Sequence, residues 1–196
     1  MLKPTIVKPP SIYWNSFKML HNDLEESLRY VNPSAEHFKV YSLRFYELLI
    51  RASTEFESVS KEKVAELKLS KSKSKDFTIK EYYLLNKHFE NKLAKVSVGY
   101  LFPEPLFVNP LEQWKKSHQL DWYKSYNNVK HNRVANFHEA NLENVLKSIG
   151  AFFIILDAFD ICPPGGFSFL QSKNVNERIK SNEKWPLVLK KEYWKE

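Results

Sequence analysis

The sequence predicts an all-α fold: a helical bundle of about five helices with one extended, proline- and aromatic-rich connection. Three observations carry that expectation. Apolar residues recur at three- and four-residue spacing through most of the chain, which places them on one side of a helix. Only four glycines occur in 196 residues, too few for a turn-rich β architecture. No strand–helix–strand alternation is visible, which argues against a parallel sheet.

The elements follow in order. Residues 12–31 read as a helix with Ile12, Phe17, Leu20, Leu24 and Leu28 near one face. Asn32-Pro33 breaks it and opens a second helix over about 33–67, with Ser58–Ser60 as the place where it could break. Phe38, Tyr41, Phe45, Leu48, Ala52 and Val59 give that helix its apolar stripe, and Arg44, Glu47, Arg51 and Glu55 alternate in sign along a polar one. Residues 68–75, KLSKSKSK, alternate Lys with Ser from Ser70 and read as an exposed loop. Thr78 and Glu81 form a capping box that opens a helix to about Ala94. Val96, Val98, Tyr100 and Phe102 alternate like a short strand, and Pro103, Pro105 and Pro110 make the remainder an ordered connection. Leu111–Lys116 reads as a helical turn and Leu120–Val134 as a helix. Asn136 and Glu139 are then the expected N-cap and N3 pair of a last helix reaching about Phe159. Residues 1–160 are thus expected to form the helical domain, with its core over about 12–160 and a flexible Lys/Ser loop at 68–76. Residues 161–196 are expected to be a C-terminal extension that docks on the body.

Composition narrows the functional classes. Apolar residues make up 43% and aromatics 15%, enough to build a core. The formal charge of +7 permits a polyanionic partner, but it serves solubility equally well. Cys162 is the only cysteine, so neither an intrachain disulfide nor a cysteine-based zinc site can form. The apolar run IGAFFIILDAF is interrupted by Asp157 and too short for a bilayer, and MLKPTIVKPPSIYW lacks the apolar core of a signal peptide. The expectation is a soluble, cytoplasmic protein with no membrane association, no cofactor and no metal.

Chemistry concentrates in YNNVKHNRVANFHEANLENVL, residues 126–146. Asn127 and His131 lie one helical turn apart and can point at one ligand. Arg133 and His138 flank the bend before Asn136. Arg133 and Lys130 suit an anionic phosphate. His131 or His138 could move the proton of a ribose 2′-hydroxyl or of a leaving oxygen. Asn127 could orient the base. The competing reading is a well-capped helix junction in which Arg133 pairs with Glu55 or Glu47 of the long helix and Lys130 is simply solvated.

The run RVANFH, with Arg133, four residues and then His138, resembles the HEPN superfamily, small helical bundles that pair as dimers and include many metal-independent ribonucleases of toxin–antitoxin and antiphage systems. An acid on an earlier helix accompanies that pattern, and LRFYELLIRASTEFE at 43–57 resembles that helix, with Glu55 or Glu57 as the acid. The resemblance implies RNA as substrate, a homodimer, and an antitoxin or other protein partner. Arg133 would hold phosphate, His138 or His131 would act as general acid and base, Glu55 would orient the arginine, and Asn127 and Lys130 would bind substrate. Val134 stands where the family carries a polar residue, and His131 before Arg133 offers the same pair in reverse order. The alternative is a non-catalytic helical module that binds nucleic acid or a protein partner.

Overall fold

The computed structural model describes residues 11–72, 77–100 and 106–161 and the backbone of 187–190. Among these are six α-helices: α1 (Ile12–Leu28), α2 (Leu43–Glu66), α3 (Ile79–His88), α4 (Asp121–His131), the single turn α5 (Arg133–Asn136) and α6 (Leu142–Ala158). The all-α expectation holds for the bulk of the chain. A small antiparallel sheet accompanies the helices, with β1 (Ser97–Tyr100) between β2 (Leu106–Val108) and β3 (Leu187–Lys190). In register, Val98 lies opposite Val108 on one side and Leu189 on the other.

The helices start where short polar side chains satisfy the free N–H groups of a first turn. Ser11 accepts from Trp14, and Ser42 accepts from Phe45. The capping box at Thr78 and Glu81 is present, with Glu81 accepting from both the Thr78 backbone and its hydroxyl. Asn141 accepts from Asn144 to open α6. Three helices stop without glycine: Lys68, Glu90 and Asp160 take positive φ. In each case the next closure is a bond back over five residues, from Leu69 to Val64, Asn91 to Asn86 and Ile161 to Leu156. This is the closure that glycine usually serves.

Two of the expected elements differ. The second helix begins at Leu43 rather than near Pro33, because only a single 3-10 turn forms at Ala35–His37 and the chain then runs alongside the start of α6 at 40–41. Leu142 donates to the Val40 carbonyl at 2.9 Å, Glu143 donates to Phe38 at 3.2 Å, and Tyr41 bridges Asn141. Nor does α2 break at Ser58–Ser60. Ser60 is buried within the continuous helix.

The core lies between α2 and α6, with α1 and α4 on their flanks. Nearly every residue of α6 from Val145 to Leu156 is buried, so this helix runs through the interior instead of along a surface. Phe17 of α1 stacks on Phe153 at 5.0 Å. Phe56 of α2 meets Trp122 of α4 and Tyr82 of α3 edge-on. The sheet closes on the middle of α6, where the Tyr100 hydroxyl donates to the Leu146 carbonyl at 2.6 Å. No helix among the described residues is long and apolar enough to cross a membrane. Cys162 and most of 161–196 lie outside the described residues, as do 73–76 of the Lys/Ser loop.

Candidate functional site

The polar run at 126–146 folds into an elbow. Helix α4 ends at Asn132, whose backbone (φ −145°, ψ 79°) leaves the helical region, and α5 starts immediately afterwards. Asparagines build this corner. Asn132 accepts from the Ala135 N–H. Asn136 donates to the carbonyls of both Asn128 and Asn132. Asn128 donates to the Glu139 carboxylate at 3.0 and 3.1 Å, and Asn144 donates to the Glu139 carbonyl. Asn127 donates back to the Tyr123 carbonyl of its own helix, so it turns inward rather than towards a ligand shared with His131. The expected cap at Asn136 is therefore part of the corner, and the long helix starts five residues later at Asn141. Most of the polar density that marks this stretch is scaffolding.

The cations remain outside it. Lys130, His131, Arg133 and His138 are all exposed, within nine residues of one another. Arg133 lies over the ring of Tyr46 in α2 at 5.1 Å, a cation–π contact that fixes the guanidinium without neutralising it. Among the described residues no carboxylate pairs with Arg133. The contrast is with Arg44 and Arg51, which converge on Asp23 at 2.6 and 2.5 Å. Burial pushes the Asp23 carboxyl up, but the bonds and charges of the two arginines outweigh this and hold it below the usual range.

Lys130 is held from below. Its ammonium donates to the Tyr126 hydroxyl at 2.9 Å and sits 5.0 Å over the same ring. Tyr126 donates onward to Glu57 of α2 at 3.1 Å, and Tyr123 donates to the other carboxylate oxygen at 2.5 Å. The hydrogen bond to Tyr126 raises the Lys130 pKa, against the opposing effect of burial, so the ammonium stays charged. Burial first, and the Glu57 bond second, push the Tyr123 hydroxyl far up, so it remains a donor.

Glu55 is not brought to Arg133. It accepts from Ser16 of α1 at 2.8 Å. Nine residues separate Glu55 from Tyr46, which is about 180° around a helix, so the two face opposite neighbours. Glu57, eleven residues from Tyr46 and about 20° away, shares its face. The acid on the elbow side of α2 is therefore Glu57, tied to Tyr123 and Tyr126. A helical wheel of 43–57 carries that distinction. The tyrosine partners are visible in the sequence only as an aromatic pair three residues apart, and core packing explains such a pair equally well.

Two cavities, about 550 and 250 Å³, run along the α1–α2 seam beside Tyr30 and Arg44, and beside Met19 and Arg51. None of Lys130, His131, Arg133 and His138 lines either. Among the described residues, no group of three or more His, Cys, Asp or Glu side chains is gathered as a metal site requires. No protein-family model, curated protein or solved structure matches the chain.

Proposed function

We propose that the α4–α5 elbow binds the phosphate backbone of RNA, with Arg133 and Lys130 as the principal contacts and His131 and His138 flanking them. One observation carries this reading. The turn presents two cations, held by tyrosines and paired with no carboxylate among the described residues, to solvent, whereas the arginines of α2 are spent on Asp23. Such groups release counterions from a polyanion and lose little freedom on binding, because the Tyr46 and Tyr126 rings already hold them. RNA is the nucleic acid that the HEPN-like spacing implies.

The reading is binding rather than cleavage. General acid–base chemistry needs an oriented imidazole within reach of the reacting oxygen. Of the two acids expected beside Arg133, Glu55 is on the other side of α2 and Glu57 is bonded to Tyr123 and Tyr126. A HEPN-type, metal-independent ribonuclease is the second reading, favoured by one observation: Arg133 and His138 keep the motif spacing and are both exposed.

A labelled oligoribonucleotide incubated with the full chain in chelator tests both readings. Anisotropy should report binding at low salt, and a gel should show the strand intact. The Lys130→Gln, Arg133→Gln double variant should bind roughly 30-fold more weakly, two phosphate contacts at about 1 kcal/mol each. Equal affinity of the double variant would remove the reading. Cleavage that disappears in His138→Ala would replace it with the catalytic one.

A further inference from the structure

We infer that Tyr41 makes this surface selective for unpaired bases, serving as a stacking platform beside the phosphate-binding cations. The inference rests on the backbone-binding reading and adds the class of nucleic acid, a single strand.

The position of Tyr41 is built, not incidental. Its backbone bridges Asn141, and its neighbours Phe38 and Val40 accept from Glu143 and Leu142. Its ring meets Phe137 at 5.5 Å and 84°, so it is braced against the residue that immediately precedes His138. Yet 51% of it stays exposed. Val40 and Leu43 beside it in the chain, and Val134 next to Arg133, are exposed as well, four of the nine exposed large apolar side chains among the described residues. Scattered singly, such residues need no explanation. Here Tyr41 packs on Phe137, one turn after Arg133, and Arg133 lies over Tyr46, five residues after Tyr41, so an exposed aromatic side chain and an arginine with no carboxylate partner among the described residues belong to the same two segments.

That pairing fits a single strand. Successive unpaired bases can lie on an aromatic face while cations follow the phosphates, and the contact tolerates any sequence because every base has a π-face. In a duplex those faces are already stacked on each other, so Tyr41 can gain nothing without unstacking them. Phosphate contact alone would not discriminate against the duplex, which carries the denser charge. A protein partner seated on Leu43 and Val134 would need apolar bulk from Tyr41 rather than a ring, and this separates the two occupants.

The experiment compares one short oligoribonucleotide, single-stranded and annealed to its complement, by anisotropy over a range of salt. The wild-type chain should prefer the single strand. Tyr41→Leu, which keeps apolar bulk but has no π-face, should lose that preference, with single-strand affinity falling roughly tenfold. Tyr41→Phe should retain it, and all three proteins should keep the same salt dependence. Tyr30→Ala removes a tyrosine that is 84% exposed on the α1 side of α2 and should change nothing. Wild-type affinity in Tyr41→Leu, an equal loss in Tyr30→Ala, or a preference for duplex would overturn the inference. If both nucleic acids bind equally with a steep salt dependence, the platform fails and the backbone reading stands. If neither binds, both fail.

Discussion

Glu57 is the side chain on which the elbow's attachment to α2 depends, and its removal has a calculable consequence. The carboxylate accepts from Tyr123 and Tyr126, which are 9% and 0% exposed. Hydrogen bonds to a charged acceptor contribute about 1.5–3 kcal/mol each, and removing the acceptor leaves buried donors unsatisfied. Glu57 itself is only partly buried, so the lower end applies and water can partly replace it. Glu57→Ala should therefore destabilise the protein by about 3 kcal/mol. Glu57→Gln, which keeps one acceptor and turns an amide donor towards the other hydroxyl, should cost about 1–2 kcal/mol. Urea unfolding measures both, with the midpoint moving and the slope unchanged. A cycle with Tyr126→Phe should show a coupling of about 1 kcal/mol or more, because the two groups share one bond. The same variants should weaken RNA binding, since the Tyr126 hydroxyl that anchors Lys130 loses its own partner. Additive effects in the cycle, or a loss below about 0.5 kcal/mol for Glu57→Ala, would refute the network as described.

Acid should destabilise the fold through His21. Burial in α1 lowers its pKa from 6.5 to about 4, so between those values the unfolded chain binds more protons than the folded one. Stability should then fall by about 3 kcal/mol as pH drops through that window and be unaffected by His21 above it. His21→Leu should flatten the dependence, measured as urea midpoints across the range; an unchanged slope would exonerate this residue. Gly150→Ala should destabilise α6 even though alanine favours helices by about 1 kcal/mol over glycine. A Cβ there would lie 2.8 Å from the Pro110 ring and 3.4 Å from Val98, in a buried seam. Thermal unfolding should show a lower midpoint, and a higher one would mean that the seam yields.

Helical periodicity made most of the fold legible. The stripes of α1, α2 and α6 and the box at Thr78 all follow from spacing and capping, which are local properties. The discrepancies are non-local. Nothing within 33–42 announces that Phe38–Tyr41 will bond to 141–143, a contact between segments a hundred residues apart. The third helix was expected to reach Ala94 but stops at His88, because Glu90 and Asn91 adopt the left-handed turn that glycine usually signals. The site divides similarly. Its Lys, Arg and two His side chains were evident from residue type, and all four stand exposed. The roles of the asparagines were not, because a capping Asn and a ligand-orienting Asn look identical until their partners are known. Glu55 and Glu57 differ only in which side of α2 they occupy, and that becomes decisive only once α1 and α4 have taken their places.

The dependence of RNA affinity on salt tests the central claim most directly. For a single strand, the plot of log K against log salt falls by about 0.7 for each phosphate neutralised. Replacing Lys130 and Arg133 together with glutamine should make that slope shallower by about 1.4, two phosphates' worth, while the protein stays folded. An unchanged slope would mean that the backbone is gripped elsewhere, or not gripped at all, and that the elbow is a structural corner.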